Sequence, residues 1–129
     1  MTQINPREII KRGIVEYCSW TKVQQVGIDL SLISDVEIEH GQSKNVTLSE
    51  LINLPNDIFA TFHQRSTYSR MGVFVTTGIY DPGYHGTLGC TIYNMSGKTI
   101  KISEGQTIGQ LICFKADPAS SYNGQYQGK

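Results

Sequence analysis

Residues 78–86, with the sequence GIYDPGYHG, have the most distinctive combination of residue types and spacing in the chain. Asp81 precedes a Pro-Gly turn, and Tyr84 follows three positions later. A carboxylate on a sharp turn can orient a water molecule or a sugar hydroxyl, while the ring stacks on part of a substrate or excludes it. A turn-forming Asp at the corner of a β-hairpin is the structural alternative. This segment alone leaves both interpretations open.

Three other segments place polar groups between apolar runs. Residues 65–70, RSTYSR, combine two guanidinium groups with hydroxyls, which suits phosphate oxygens, although a solvated loop explains them equally well. Asp29 lies within the apolar residues 25–32, where a carboxylate needs a hydrogen bond, an ion pair or a cation. Gln110 follows two glycines in residues 105–111, and it is either a ligand contact or a core residue bonded to the main chain.

Composition limits the classes of function. A chain of 129 residues forms one domain, and its 11 basic and 11 acidic residues give no sign of affinity for nucleic acid or anionic membranes. No apolar run is long enough to span a membrane, and the charges in residues 1–12 do not fit a signal peptide. Three cysteines without metal-ligand spacing indicate reduced thiols in a cytoplasmic setting.

The glycines, tyrosines and short β-branched runs predict an all-β protein, a small barrel or sandwich, with one N-terminal helix. Asn5 is the expected cap of that helix, Pro6 its first residue and Glu8 part of a capping box. Strands are predicted at residues 26–32, 36–39, 58–62, 73–77, 87–93, 98–103 and 105–115, while residues 47–53 fit either a strand or a helical turn. Residues 94–97 predict a hairpin turn between their flanking strands.

Together these segments, in this order, resemble the dUTPase and dCTP deaminase superfamily over almost the whole chain. The similar segments are INPREIIKRG, VGIDL, RSTYSRMG, GIYDPGYHGTLGCTIYN, EGQTIGQLICF and SSYNGQYQGK. The resemblance implies a jelly-roll-like, distorted β-barrel of the dUTPase-like (β-clip) type in a single domain, residues 1–129, with a short C-terminal arm at residues 120–129. It also implies a homotrimer in which neighbouring subunits build each active site.

The resemblance further implies roles for individual residues. Asp81 would orient the water that attacks the α-phosphorus and bond the sugar 3′-hydroxyl, and Tyr84 would disfavour ribose. Asp29 would hold a water on Mg²⁺, an ion bound mainly through the three phosphates. The other implied substrate contacts are Arg65, Ser66, Thr67, Arg70, Thr77, Gln110 and Tyr126. Residues 120–129 are expected to pack on a neighbouring subunit near the phosphate end of its site, with Tyr126 as the anchor.

One position separates the two chemistries of this superfamily. Deaminases have a Glu three residues before the Asn of LGCTIYN, and the corresponding residue here is Thr91. A threonine hydroxyl is too weak an acid to shuttle protons at neutral pH. The sequence therefore favours hydrolysis of dUTP to dUMP and pyrophosphate, which limits uracil in DNA. The alternatives are a nucleotide-binding relative without turnover, suggested by the short tail and by Tyr80 and Thr107 at unusual positions, and a dCTP deaminase.

Overall fold

A computed structural model of the chain describes residues 2–76, 78–117 and 126–128. In these residues short strands predominate, and the two helices have six residues each. The elements are α1 (Pro6–Lys11), β1 (Val15–Glu16), β2 (Lys22–Val23), β3 (Ile28–Ser31), β4 (Val36–Ile38), β5 (Ser43–Asn53), β6 (Ile58–Gln64), α2 (Ser66–Met71), β7 (Val73–Val75), β8 (Ile79–Tyr80), β9 (His85–Asn94), β10 (Ile100–Ile102) and β11 (Thr107–Lys115). Neither helix of the described residues has the length and apolar character needed to span a membrane.

The strands form three antiparallel sheets around one core. The five-stranded sheet has the order β2-β3-β11-β6-β8, the four-stranded sheet the order β1-β5-β9-β7, and β10 pairs with β4. Alternate residues of these strands point inward, so each large sheet has one apolar face. The fully buried side chains that fill the core include Ile9, Ile28, Leu30, Leu48, Ile52, Phe62, Leu88 and Ile92. The all-β class with a short N-terminal helix is confirmed.

Helix α1 begins where the sequence predicts. The Asn5 side chain accepts a hydrogen bond of 2.9 Å from the Arg7 N–H, and Pro6 occupies the first turn, where its missing N–H costs nothing. The chain leaves the helix through Gly13, whose φ of 70° favours glycine. Ile9 is fully buried and attaches the helix to the core.

The predicted hairpin at residues 94–97 is wrong. Strand β9 pairs with β5 and β7, whereas β10 pairs with β4, so the turn passes from one sheet to another. The buried Asn94 side chain fixes this passage: its Nδ2 donates to the carbonyls of Ile38 (2.8 Å) and Lys98 (2.7 Å), and its Oδ1 accepts from the Ser96 N–H (2.9 Å). The local sequence predicts a turn, but strand pairing depends on distant residues.

Helix α2 occupies the segment expected to be a loop. It ends at Gly72, whose φ is 82°. The Gln64 side chain connects the end of β6 to β7 and to α2. Its Oε1 accepts from the Val75 N–H (2.7 Å), and its Nε2 donates to the Val73 carbonyl (3.0 Å) and to Ser69 Oγ (2.7 Å). Arg65 and Ser66 are thereby held at the end of β6.

The ambiguous residues 47–53 belong to the long strand β5. Its register against β9 shifts between Thr47 and Leu51, which is typical of a β-bulge. Leu48, Glu50 and Ile52 still face inward in regular alternation, but Glu50 is polar. The sequence therefore lacks a clear alternation of polar and apolar residues, and for this reason it did not distinguish a strand from a helical turn.

The carboxyl group of Glu50, in this irregular stretch, is fully buried. It accepts hydrogen bonds from the Ser31 N–H (2.9 Å), from Ser31 Oγ (2.8 Å) and from Thr21 Oγ1 (2.6 Å), and Cys18 Sγ lies 3.8 Å away. Ser31 belongs to the five-stranded sheet and Glu50 to the four-stranded sheet. This carboxyl group therefore links the two large sheets.

We expect Glu50→Ala to lower the free energy of unfolding by about 3 kcal/mol, roughly 1 kcal/mol for each donor left buried and unpaired. Glu50→Gln should cost less, because the amide oxygen still accepts and the Ser31 and Thr21 hydroxyls can rotate to accept from the amide nitrogen. Urea denaturation followed by circular dichroism measures both effects. The control is Glu37→Ala, which removes only an exposed carboxylate 4.0 Å from Lys101. Equal losses in the Glu50→Ala and Glu37→Ala variants would contradict a linking role for Glu50.

Candidate functional site

The turn that carries Asp81 is rigidly supported. Pro82 and Gly83 occupy its centre, Gly83 has a φ of 86°, and the Tyr84 N–H donates to the Asp81 carbonyl at 3.1 Å. This pattern is the sequence signature of a type II turn.

Two backbone hydrogen bonds attach this turn to the residues that follow β5. The Leu54 N–H donates to the Tyr84 carbonyl (2.8 Å), and the Gly83 N–H donates to the Pro55 carbonyl (3.2 Å). The Asp81 side chain is exposed and makes no hydrogen bond with the described residues.

Asp81 and Tyr84 border a hollow with a volume of about 810 Å³. We call it the β5–β9 hollow, since these two strands form much of its wall. Tyr84 is only 7% exposed, and its hydroxyl donates to the Thr87 carbonyl at 2.6 Å, which fixes the ring beside the carboxylate. The residues lining this hollow are Asn45, Val46, Thr47, Thr76, Ile79, Tyr80, Asp81, Tyr84, Thr87, Leu88, Gly89, Cys90, Thr91 and Tyr126.

Asp81 is the one carboxylate among these described lining residues. Burial raises the pKa of Tyr80 to about 12, and it raises the pKa of the Cys90 thiol to about 11. Both side chains are therefore uncharged at neutral pH. The β5–β9 hollow combines apolar and uncharged polar walls with a single negative charge at the turn, which suits an uncharged ring and a sugar better than a phosphate chain.

Thr91, the position of the deaminase Glu, lies inside this hollow. Its Oγ1 donates to Asn45 Oδ1 at 2.7 Å, and its N–H donates to Thr76 Oγ1 at 2.8 Å. Asn45 is its direct partner in the register of β5 and β9. The hollow therefore has hydroxyl and amide groups, and no carboxylate, at the position that the resemblance matches to the deaminase Glu.

A second hollow, of about 520 Å³, lies over the five-stranded sheet, and we call it the β3–β11–β6 hollow. Asp29, Gln110 and His63 are consecutive partners in the strand register, so their side chains share one face. Arg65 and Ser66 reach the same hollow from the beginning of α2. The remaining lining residues are Gln24, Gln25, Val26 and Gln64.

Gln110 has the features of a ligand contact. Its Oε1 is buried and has no hydrogen-bond partner in the described structure. Gly27 makes room for this side chain, because a Cβ at Gly27 would lie 2.7 Å from Gln110 Cγ. A buried polar atom without a partner is costly unless a ligand or water satisfies it. The alternative of a core glutamine bonded to the main chain does not account for this oxygen.

The donor set suits Mg²⁺ only if a ligand supplies most of the oxygens. Asp29 is half-buried, and its Oδ2 accepts from Gln24 Nε2 at 2.7 Å. No group of three or more His, Cys, Asp or Glu side chains with metal-ligand geometry occurs in the described residues. One carboxylate together with substrate phosphates and water is a common set of Mg²⁺ ligands. Asp29 therefore fits the role of holding a water of a phosphate-bound ion.

Most of the predicted site residues line either the β5–β9 hollow or the β3–β11–β6 hollow, and these two hollows share no lining residue. Thr67 lines a smaller hollow of about 230 Å³ that also includes Arg65, while Arg70 is exposed and lines none of these three hollows. Thr77 lies outside the described residues. Within one chain, the residues suited to bind a ring and sugar and the residues suited to bind phosphates thus line different hollows.

The described end of the arm lies on its own chain. Gln127 Oε1 accepts from the His85 N–H (2.7 Å), Gln127 Nε2 donates to the Gly83 carbonyl (3.0 Å), and the Gly128 N–H donates to the His85 carbonyl (2.7 Å). Tyr126 lines the β5–β9 hollow and not the β3–β11–β6 hollow. The expected packing on a neighbouring subunit near the phosphate residues is wrong for residues 126–128, because Gln127 and Gly128 bond instead to Gly83 and His85 of the same chain. Residues 120–125 and 129 lie outside the described part of the arm.

Sequence reasoning missed Asn45 and His63. Asn45 lies on β5, the strand with the irregular register, and His63 lies near the end of β6. The sequence does not predict which strands pair with β6. Their alternation along each strand fixes only the face on which they lie. No motif connects them with Thr91 or Gln110, and the strand register alone makes them neighbours.

Comparison with known proteins gives one consistent family. The dCTP deaminase-like family model matches residues 35–116. The dCTP deaminase of Pyrobaculum islandicum is 31% identical over 84 residues, which are 65% of this chain and 48% of that protein. The chain spans about half the length of the curated dCTP deaminases it matches.

Solved structures agree on the fold. The EIAV dUTPase superposes with a TM-score of 0.68 at 25% identity, covering 86% of this chain and 96% of that one. The dCTP deaminase of Agrobacterium tumefaciens superposes with a TM-score of 0.77 at 17% identity, covering 87% of this chain and 48% of that one, and shows the fold alone. The predicted dUTPase-like barrel is confirmed. The chain belongs to the dCTP deaminase-like family, within the superfamily of dUTPases and dCTP deaminases.

Proposed function

We propose that the protein is a dUTP diphosphatase, which hydrolyses dUTP to dUMP and pyrophosphate with Mg²⁺. The observation that carries this proposal is Thr91 in the β5–β9 hollow, hydrogen-bonded to Asn45 and Thr76, where a deaminase has its Glu. Asp81 remains as the carboxylate of that hollow. A single carboxylate on a rigid turn is sufficient to orient a water molecule, whereas deamination also needs proton transfer to the ring and to the departing ammonia.

The two hollows correspond in chemistry to the two halves of a nucleotide. The uncharged walls of the β5–β9 hollow suit the base and deoxyribose, with the Tyr84 ring against the sugar. Arg65, Ser66 and Gln110 in the β3–β11–β6 hollow suit the phosphate chain. Because these hollows share no lining residue, we propose a homotrimer in which one subunit binds the nucleoside and a neighbour binds the phosphates.

In the proposed reaction, Asp81 orients a water molecule toward the α-phosphorus. The water oxygen bonds to that phosphorus and gives a proton to the Asp81 carboxylate. The bond from the phosphorus to the oxygen bridging the α- and β-phosphates breaks, and pyrophosphate leaves. Arg65, Ser66 and the Nε2 group of Gln110 donate hydrogen bonds to phosphate oxygens and stabilise the charge that develops on them. Mg²⁺, bound through the phosphates and a water on Asp29, would neutralise part of that charge.

Deamination of dCTP is the second candidate, since the family model and the curated relatives carry the deaminase name. It would require a proton shuttle beside the ring. Among the residues lining the described β5–β9 hollow, Asp81 is the sole carboxylate, and it lies on the turn before β9, whereas Thr91 lies within β9. The hydroxyl of Thr91 and the amide of Asn45 cannot act as a general acid or base at neutral pH, because their pKa values lie far from 7.

Incubation of the full chain with each dNTP and Mg²⁺, followed by chromatography of the products, tests the proposed function. We expect dUMP and pyrophosphate from dUTP. Ammonia release from dCTP would instead support deamination. Thermal stabilisation by dUTP without any product would indicate a binding protein and contradict the proposal.

Asp81→Asn should reduce dUTP hydrolysis at least tenfold, which corresponds to about 1.4 kcal/mol of activation free energy, because the amide keeps the shape but not the charge that orients water. Binding of a non-hydrolysable dUTP analogue, measured by calorimetry, should change little. The matched control is Asp57→Asn, since Asp57 lines neither hollow. A rate above one tenth of the wild-type value would exclude this role for Asp81.

Arg65→Ala should weaken binding of the triphosphate analogue about tenfold or more, because a charge-assisted hydrogen bond to phosphate is lost. The loss for dUMP should be much smaller, since dUMP lacks the outer phosphates. Calorimetric titration with each nucleotide measures the two losses, and Arg7→Ala on the exposed side of α1 is the control. Equal losses for both nucleotides would assign Arg65 to a structural role.

A further inference from the structure

The Asn45 amide is held in one orientation inside the β5–β9 hollow. Asn45 and Thr91 are direct register partners, so their side chains lie on the same face of the sheet. Thr91 Oγ1 donates its hydrogen to Asn45 Oδ1 at 2.7 Å. The amide oxygen is therefore engaged, and the Nδ2 group, with two hydrogens, makes no hydrogen bond with the described residues.

Thr76, which also bonds to Thr91, adds a second donor to the same hollow. Its Oγ1 accepts from the Thr91 N–H at 2.8 Å, and its own N–H donates to the Thr91 carbonyl at 2.9 Å. Because the hydroxyl oxygen already accepts from the backbone, its hydrogen is available to a ligand. Asn45 and Thr76 both line the hollow. This part of the wall therefore offers hydrogen-bond donors to a ring.

Uracil and cytosine differ at position 4 of the ring, where uracil has a carbonyl oxygen and cytosine an amino group. A donor in the wall pairs with the carbonyl, whereas against the amino group two donors would meet and both would lose their partners. We infer that Asn45, held by Thr91, selects uracil over cytosine by donating from Nδ2 to the 4-carbonyl oxygen. This inference rests on the proposed nucleotide-binding function and names the base that the same site accepts. Thr91 acts through Asn45 and is a positioning residue.

Binding of α,β-imido-dUTP and α,β-imido-dCTP to the full chain, measured by calorimetry with Mg²⁺, tests the inference without turnover. The wild-type protein should bind the uracil analogue about tenfold or more tightly than the cytosine analogue. Asn45→Asp replaces the Nδ2 donor by an acceptor oxygen and keeps a partner for Thr91. It should lower the ratio of the two affinities by about tenfold or more, because the wall then favours the amino group. Any repulsion of phosphates weakens both analogues equally and leaves the ratio unaffected.

Gln42→Glu is the matched control, since it makes the same change from amide to carboxylate outside the hollow. It should leave the ratio at the wild-type value. Thr91→Val removes the hydroxyl that orients the amide and should lower the ratio, while Thr91→Ser, which keeps that hydroxyl, should restore it. Thermal melting of each variant confirms folding. A merely structural role for Thr91 would change the melting temperature without changing the ratio.

An unchanged ratio in both Asn45→Asp and Thr91→Val would overturn the inference. A wild-type protein that binds both analogues equally, or prefers cytosine, would also overturn it and leave nucleotide binding intact. A wild-type protein that binds neither analogue would overturn the proposed function itself. The two failures are therefore distinguishable in one set of titrations.

Discussion

The buried carboxyl group of Glu50 is the contact on which the relative placement of the two large sheets depends. Its partners lie on the strand that carries Asp29 and on the segment leading to β2, while Glu50 itself belongs to the strand that carries Asn45. A fully satisfied buried polar network specifies one arrangement, because any slip leaves several groups unpaired at once. The backbone bridge between Leu32 and Leu48 reinforces the same junction. Both hollows are thus built on strands that Glu50 holds together.

The distribution of charge between the hollows fits the proposed hydrolysis of a nucleoside triphosphate by a small domain with few ionisable groups. The β5–β9 hollow has one carboxylate among uncharged side chains, and burial keeps Tyr80 and Cys90 protonated. The β3–β11–β6 hollow has a guanidinium group and a buried amide oxygen without a partner. Separate walls for the ring and for the phosphates allow each half to be recognised by the groups that suit it. Catalysis then requires mainly correct positioning.

The fold itself does not choose between the chemistries of this superfamily. A dUTPase and a dCTP deaminase superpose on the chain with TM-scores of 0.68 and 0.77. Function is decided by side chains grafted on a shared barrel, and here the informative one is Thr91 with its bond to Asn45. In the proposed function, the Thr91 hydroxyl provides no proton shuttle and orients the Asn45 amide as a donor, so this one position would bear both on the reaction and on the choice of base.

The sequence alone determined the features that depend on neighbouring residues. The cap of α1 by Asn5, the turn at Pro82 and Gly83, and the all-β class follow from local geometry, which acts over only a few positions. The order of the motif segments was also sufficient to identify the superfamily. Helix α2 was missed, because the polar side chains of residues 65–70 suggested a loop and only the Gln64 hydrogen bonds close its base.

Tertiary structure decided everything that depends on which strands are adjacent. The turn at residues 94–97 was recognisable, but its flanking strands join different sheets, since Asn94 is bonded to β4 and not to a hairpin partner. Strand register places Asn45 beside Thr91 and His63 beside Gln110, and no local sequence pattern predicts these pairs. The lack of a partner for Gln110 Oε1 likewise appears only when the surroundings are assembled. Alternation within a strand fixes which face a side chain occupies, whereas long-range packing fixes what lies opposite it.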